Sequence, residues 1–157
     1  MKLAATITIL VLLCIAGSPI SAATPDFSGT WILDFARSDV GKNLAATGQA
    51  PRKIKLVIKQ TATTISTERF VSEKPETAVH TLNGSECTNT VTGGRQVKST
   101  TTWVGSTLVT KARMAEGNNP GGTTIRSLSP DGKTMTIEMI VQTPQGEKKQ
   151  IAVYDRQ

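Results

Sequence analysis

The stretch Thr24-Pro-Asp-Phe-Ser-Gly-Thr-Trp-Ile-Leu-Asp-Phe-Ala-Arg-Ser-Asp39 decides how the rest of the chain is read. From Gly29 to Phe35 apolar side chains recur at every second position, so that Trp31, Leu33 and Phe35 share one side. That is the period of a strand with one face against a core. The strand opens on glycine and tryptophan directly behind a Phe-Ser pair, and it then runs into a polar connection rich in alanine and glycine.

Upstream of this stretch, Lys2 precedes the apolar run Leu3 to Ala16, which ends at Gly17 and Pro19 before the small residues Ser21-Ala22-Ala23. The pattern reads as a secretory signal peptide, 1–23, cleaved after Ala23 or, alternatively, after Ala22. Its apolar run is shorter than the roughly 20 residues a membrane span needs. Cys14 lies inside the run, which argues against a lipid anchor. The expected product is secreted or periplasmic, with one domain at 24–157.

Composition narrows the function classes. Lysine and arginine number 18 against 12 acidic residues, a net charge of +6 that falls to +5 without Lys2. Such a surface steers anions and anionic membranes towards it. The stripe Arg52, Lys53, Lys55 and Lys59 reads as a solvated outer face, open at most to weak contact with an anionic membrane. It carries no aromatic stacking platform, so no nucleic-acid partner is expected. Only Cys87 survives removal of the leader, which excludes an internal disulfide and suggests burial or a quiet loop position.

Downstream, short alternating runs rich in Thr, Val and Ile recur between Gly, Pro and Asn, and no helical period is sustained. Nine runs stand out: 29–35, 53–60, 64–71, 77–83, 95–104, 107–115, 122–129, 133–143 and 148–156. Turns at Val104-Gly105-Ser106, Pro130-Asp131-Gly132 and Pro144-Gln145-Gly146 make neighbours antiparallel. Asn83-Gly84-Ser85 fits a glycosylation sequon but is read as a turn. Two connections are long, Ala36 to Pro51 and Ser85 to Gly94.

Ile54, Leu56 and Ile58 oppose Lys53, Lys55 and Lys59, and Met135, Ile137, Met139 and Val141 oppose Thr134, Thr136 and Glu138. A meander with one apolar face and no helix to cover it must roll up. The predicted fold is all-β: an antiparallel up-and-down barrel of about 8–10 strands, with a short helical or irregular connection after the first strand.

Phe27-Ser-Gly-Thr-Trp31 resembles the Gly-x-Trp start of the calycins, the lipocalins and fatty-acid-binding proteins. Gly93 to Val109, Gly122 to Ile137 and Val153-Tyr-Asp-Arg156 are similar to later strands of that superfamily, in the same order. The resemblance implies that Trp31 plugs the closed end with Arg156 stacked on it, and that a lipid-like ligand lies inside. The family holds a carboxylate with a C-terminal Arg-x-Tyr pair; here Tyr154 is present but Ala152 stands in the arginine position. A second family arginine falls on Ser127 without a gap and on Arg126 with a shift of one residue.

The residues themselves add Arg69. Alternation with Ile65, Thr67 and Val71 turns it inward, and no acid in the expected inward set faces it, so it sits at a wet mouth or is completed by a ligand anion. In the plainer reading it snorkels to the rim. Ser99, Thr101 and Thr110 make the interior partly polar, and Trp103 either lines the pocket or covers its end. His80 is the sole histidine and reads as structural. No nucleophile triad, metal cluster, paired carboxylates or cofactor loop is present in the pattern.

The function expected is a monomeric, non-catalytic binding protein, without metal or cofactor, for a small apolar or amphipathic molecule. The candidate ligand-binding residues are Arg69, Trp103, Thr101, Arg126 and Tyr154. The alternative is a filled barrel acting through its basic face or the Ser85 to Gly94 loop. A cavity enzyme using His80 or Tyr154 is a third reading.

Overall fold

The computed structural model describes residues 24–40, 53–71, 75–91, 93–117 and 121–157. The expected leader and most of the connection after the first strand lie outside these residues. Ten strands run in chain order: β1 Gly29–Asp34, β2 Lys55–Gln60, β3 Thr64–Phe70, β4 Glu76–Thr81, β5 Cys87–Thr90, β6 Gln96–Val104, β7 Thr107–Met114, β8 Gly122–Leu128, β9 Thr134–Thr143 and β10 Gly146–Arg156. Each pairs antiparallel with its sequence neighbour except β4 with β5, and β1 also pairs with β10. The sheet order is therefore β4-β3-β2-β1-β10-β9-β8-β7-β6-β5.

The result is a nearly closed barrel whose strand count differs from the nine runs of the sequence. The added strand, β5, lies inside the Ser85 to Gly94 connection expected to be a loop. Its sequence, Cys-Thr-Asn-Thr, is four residues without a large side chain, too short to show a period, and it forms because β6 supplies a partner ladder with Cys87 opposite Ser99.

The remaining seam, between β4 and β5, is bridged by side chains. The Asn89 amide accepts from Val79 N–H at 2.8 Å and donates to Val79 C=O at 2.9 Å, as a backbone partner would. One step along, Thr81 N–H points to Cys87 Sγ at 3.3 Å. Cys87 is thus a half-buried strand residue at the seam.

The opening stretch closes one end. Phe27 and Trp31 are fully buried, and the Trp31 indole N–H donates to Phe27 C=O at 2.9 Å. Arg156 lies over the Trp31 ring, 4.3 Å from its centroid, and its guanidinium donates to the carbonyls of Ser28, Asp26 and Gly132. Gly29 has φ +130°, and a Cβ there would stand 3.1 Å from Arg156 Nη1. Glycine therefore precedes the Thr-Trp pair because the arginine crosses directly over it. Gln60 fastens the segment from the end of the adjacent strand β2, accepting from Phe27 N–H and donating to Pro25 C=O.

Above this plug Leu33, Leu56, Ile58, Ile65, Leu108, Met135 and Ile137 pack as one buried cluster. Towards the other end Phe35, Val71, Val97, Ala112, Thr124 and Met139 keep accessible surface although they lie on the inward face. The plugged half is packed, and the inward side chains of the other half are only partly buried. Ser38 and Asp39, beyond β1, trim that end by accepting from Val153 N–H and Ile151 N–H of β10.

Candidate functional site

Strand alternation and the register divide the interior into two arcs. On β9, β10, β1 and β2 the inward side chains above the plug are Ile137, Met139, Ala152, Tyr154, Leu33 and Leu56, with the exposed Gln150 opposite Met139 on the same face. On β3 to β8 they include Thr67, Arg69, His80, Ser99, Thr101, Thr110, Thr124 and Arg126. The polar arc is continuous across the seam, and its groups are satisfied to different degrees.

Two pairs satisfy each other. His80 Nδ1 lies 3.0 Å from Ser99 Oγ, and Thr101 Oγ1 lies 2.9 Å from Thr110 Oγ1. All four residues are buried. Burial, and after it the field of Arg126, hold the His80 imidazole neutral, with its pKa lowered to about 4.

Arg126 is the exception. It faces Leu108 on one side and Ile137 on the other, so it points inward, and its Nε and Nη1 are covered without a hydrogen-bond partner among the described residues. These two nitrogens are shut off from solvent, while the residue as a whole is only half-buried. Burial lowers its pKa from the ordinary arginine value, but guanidinium groups stay protonated in proteins. A full positive charge therefore stands on the inward face with no acidic side chain paired to it among the described residues. An uncompensated buried ion of this kind costs several kcal/mol.

Tyr154 and Arg69 complete the neighbourhood. Burial raises the Tyr154 phenol pKa, and the fields of Arg69 and then Arg126 oppose that rise. Arg69 itself corrects the sequence reading, for it has an acid partner: Glu76 stands directly opposite on β4, with Nη1 3.2 Å from Oε2. Both side chains are more than 40% exposed, which puts the pair at the open rim. Thr67, one pair inward from Arg69 on β3, buries an Oγ1 with no partner among the described residues.

The sequence-derived candidates thus separate. Arg126, Tyr154 and Arg69 interact across the upper interior, whereas Thr101 is closed off by its bond to Thr110. Trp103 stacks on Phe27 with centroids 5.9 Å apart, at the plugged end. Trp31 and Arg156 form the plug. Thr67 and Glu76 were missed. Thr67 carried the signal of inward alternation beside Arg69, while Glu76 follows Pro75 and lay just outside the run assigned as a strand.

Elsewhere, a groove of about 290 Å³ lies on the outer face, lined by Lys98, Lys111, Arg113, Thr123 and Gln142 among others. Its Lys98 and Arg113 already share Glu86, at 3.2 and 3.1 Å. Among the described residues no cluster of His, Cys, Asp and Glu is arranged to hold a metal ion.

His80 gives a stability prediction. The unfolded imidazole takes up its proton near pH 6.5 and the folded one only near 4, so the unfolded state binds more protons in between, and folding stability falls as pH drops through that window. The loss is expected to be on the order of 2 kcal/mol. The carboxylates with lowered pKa values, Asp26, Asp34, Glu86 and Asp131, act lower, below their ordinary 3.8 to 4.5. Urea unfolding at pH 7 and pH 5 should show the slope, and His80→Gln should flatten it.

Ten antiparallel strands make a nearly closed barrel with a tryptophan plug at one end. A solved structure described as the REP1-NXSQ fatty acid transporter shares the fold, with a TM-score of 0.62 at 19% identity over 83% of this chain and 95% of that one. No family model and no curated protein matches the sequence.

Proposed function

We propose that the barrel binds a small amphipathic anion without catalysis, its acid group on Arg126 beside Tyr154 and its apolar body against Leu33, Phe35, Ile137 and Met139. The observation that carries this reading is the inward guanidinium of Arg126, left without a partner among the described residues. A carboxylate supplies the acceptors and the charge that the wall lacks, and it does so in a low-dielectric site where charge-assisted hydrogen bonds are strong. A chain of 12 to 16 methylenes adds gross stabilisation on the order of 10 kcal/mol, before the costs of association. The structural neighbour's description as a fatty acid transporter supports a lipid-like ligand.

Nothing in the site is poised as a base: His80 is tied to Ser99, and the Tyr154 phenol is harder to ionise than in water. The reading also includes export of the chain by its first 23 residues to a compartment outside the cytoplasm, where it works as a monomer.

The test is a titration with a C16 acid and its methyl ester. The acid should bind at least about tenfold more tightly, since the ester keeps the apolar body and loses the charge. Equal affinities, or no binding of the acid, would refute the proposal.

A further inference from the structure

Arg126 accounts for two of the three buried side-chain atoms left without partners among the described residues, and the third is Thr67 Oγ1. The two residues stand on one continuous polar arc. Thr67 is on β3 with Ile58 and Ala78 beside it, and Arg126 is on β8. The neighbouring hydroxyls of the same arc, Ser99, Thr101 and Thr110, have found protein partners. Thr67 is 8% exposed and has found none.

A buried hydroxyl is costly unless something accepts or donates to it. An unsubstituted alkyl chain lying between the two arcs would leave Thr67 against methylenes. A chain with an oxygen at the right distance from its acid group would satisfy Thr67 and still present a bare hydrocarbon edge to Met139 and Ile137 on β9. Sites built to hydrogen-bond a ligand hydroxyl discriminate strongly against the analogue lacking it, because their own polar group is then left unpaired.

We infer that the ligand class is an oxygenated amphipathic acid: a long-chain carboxylic acid with a hydroxyl or keto group along its body, the acid on Arg126 and the second oxygen on Thr67. This rests on the proposed anion-binding reading and narrows it. Thr67 acts as a specificity determinant and Arg126 as the anchor.

The experiment compares stearate with 3-, 10- and 12-hydroxystearate by isothermal titration on the intact chain. One positional isomer should bind at least tenfold more tightly than stearate. Thr67→Val, which keeps the shape and removes the hydroxyl, should bring the preferred isomer to the affinity of stearate for the same variant, and Thr67→Ser should retain most of the preference. If stearate binds and every isomer matches it, or if Thr67→Val weakens stearate and the preferred isomer alike, the oxygenated-ligand inference is overturned and anion binding stands. If neither stearate nor any hydroxystearate binds, the anion-binding reading falls and takes the inference with it.

Discussion

Replacing Arg126 with Met should make the protein more stable and nearly unable to hold an acid. The two effects come from one cause. In the ligand-free barrel the guanidinium sits inward with Nε and Nη1 covered and unpartnered, so exchanging it for a side chain of similar length without charge removes a desolvation cost that nothing offsets. Substitutions of buried ionic groups by apolar ones commonly stabilise by about 1–4 kcal/mol, and a gain of about 2 kcal/mol in urea unfolding is expected here. With an acid bound the sign reverses, because the ligand charge then loses its counter-ion. Truncating one partner of a buried charge pair costs about 2–5 kcal/mol, so affinity for a C16 acid should fall roughly 100-fold, while its methyl ester should be affected little. A variant that loses stability, or that keeps its acid affinity within twofold, would show that Arg126 has a partner the ligand does not provide.

Trp31→Ala should have the largest effect on stability, a loss of about 4 kcal/mol, in the range for large aromatic truncations in a core. The indole is fully buried and bonded to Phe27 C=O, and it is also the surface on which Arg156 rests. Arg156→Ala removes three hydrogen bonds from a charged donor to the carbonyls of Ser28, Asp26 and Gly132, for a loss of about 3 kcal/mol. Because the arginine is held in place by the ring beneath it, the two losses should not add. The double variant should fall short of the sum by about 1 kcal/mol or more, measured by urea unfolding of all four proteins. Strict additivity would mean that the carbonyl contacts alone position Arg156.

How much of this could be read beforehand depended on whether a residue's role follows from its own strand or from its neighbour's. The inward sets on β2 and β9 are plain in Leu56 and Ile58, and in Met135 and Ile137, because alternation is a property of one strand. The inward face of Trp31 was legible for the same local reason, whereas its role as a plug beneath Arg156 came from the resemblance to the Gly-x-Trp start. Register is different: Arg126 or Ser127 could have faced inward until the pairing of Arg126 with Ile137 fixed the choice. Glu76 sits behind a proline, and its role appears only when β4 is laid against Arg69. Likewise β5 exists through its partner, and Gln60 holds Phe27 by a reach across 33 residues that no periodicity announces.

The Asn89 bridge has a consequence beyond the binding site. Edge strands offer rows of free peptide groups on which another chain can add itself. In this sheet the β4 edge meets an amide that already fills the Val79 position from both sides, and the facing β5 edge is the strand that supplies it. An intruding chain would have to displace a side chain rather than simply join a row, so the one interruption in the ladder among the described strands carries an obstacle to strand addition.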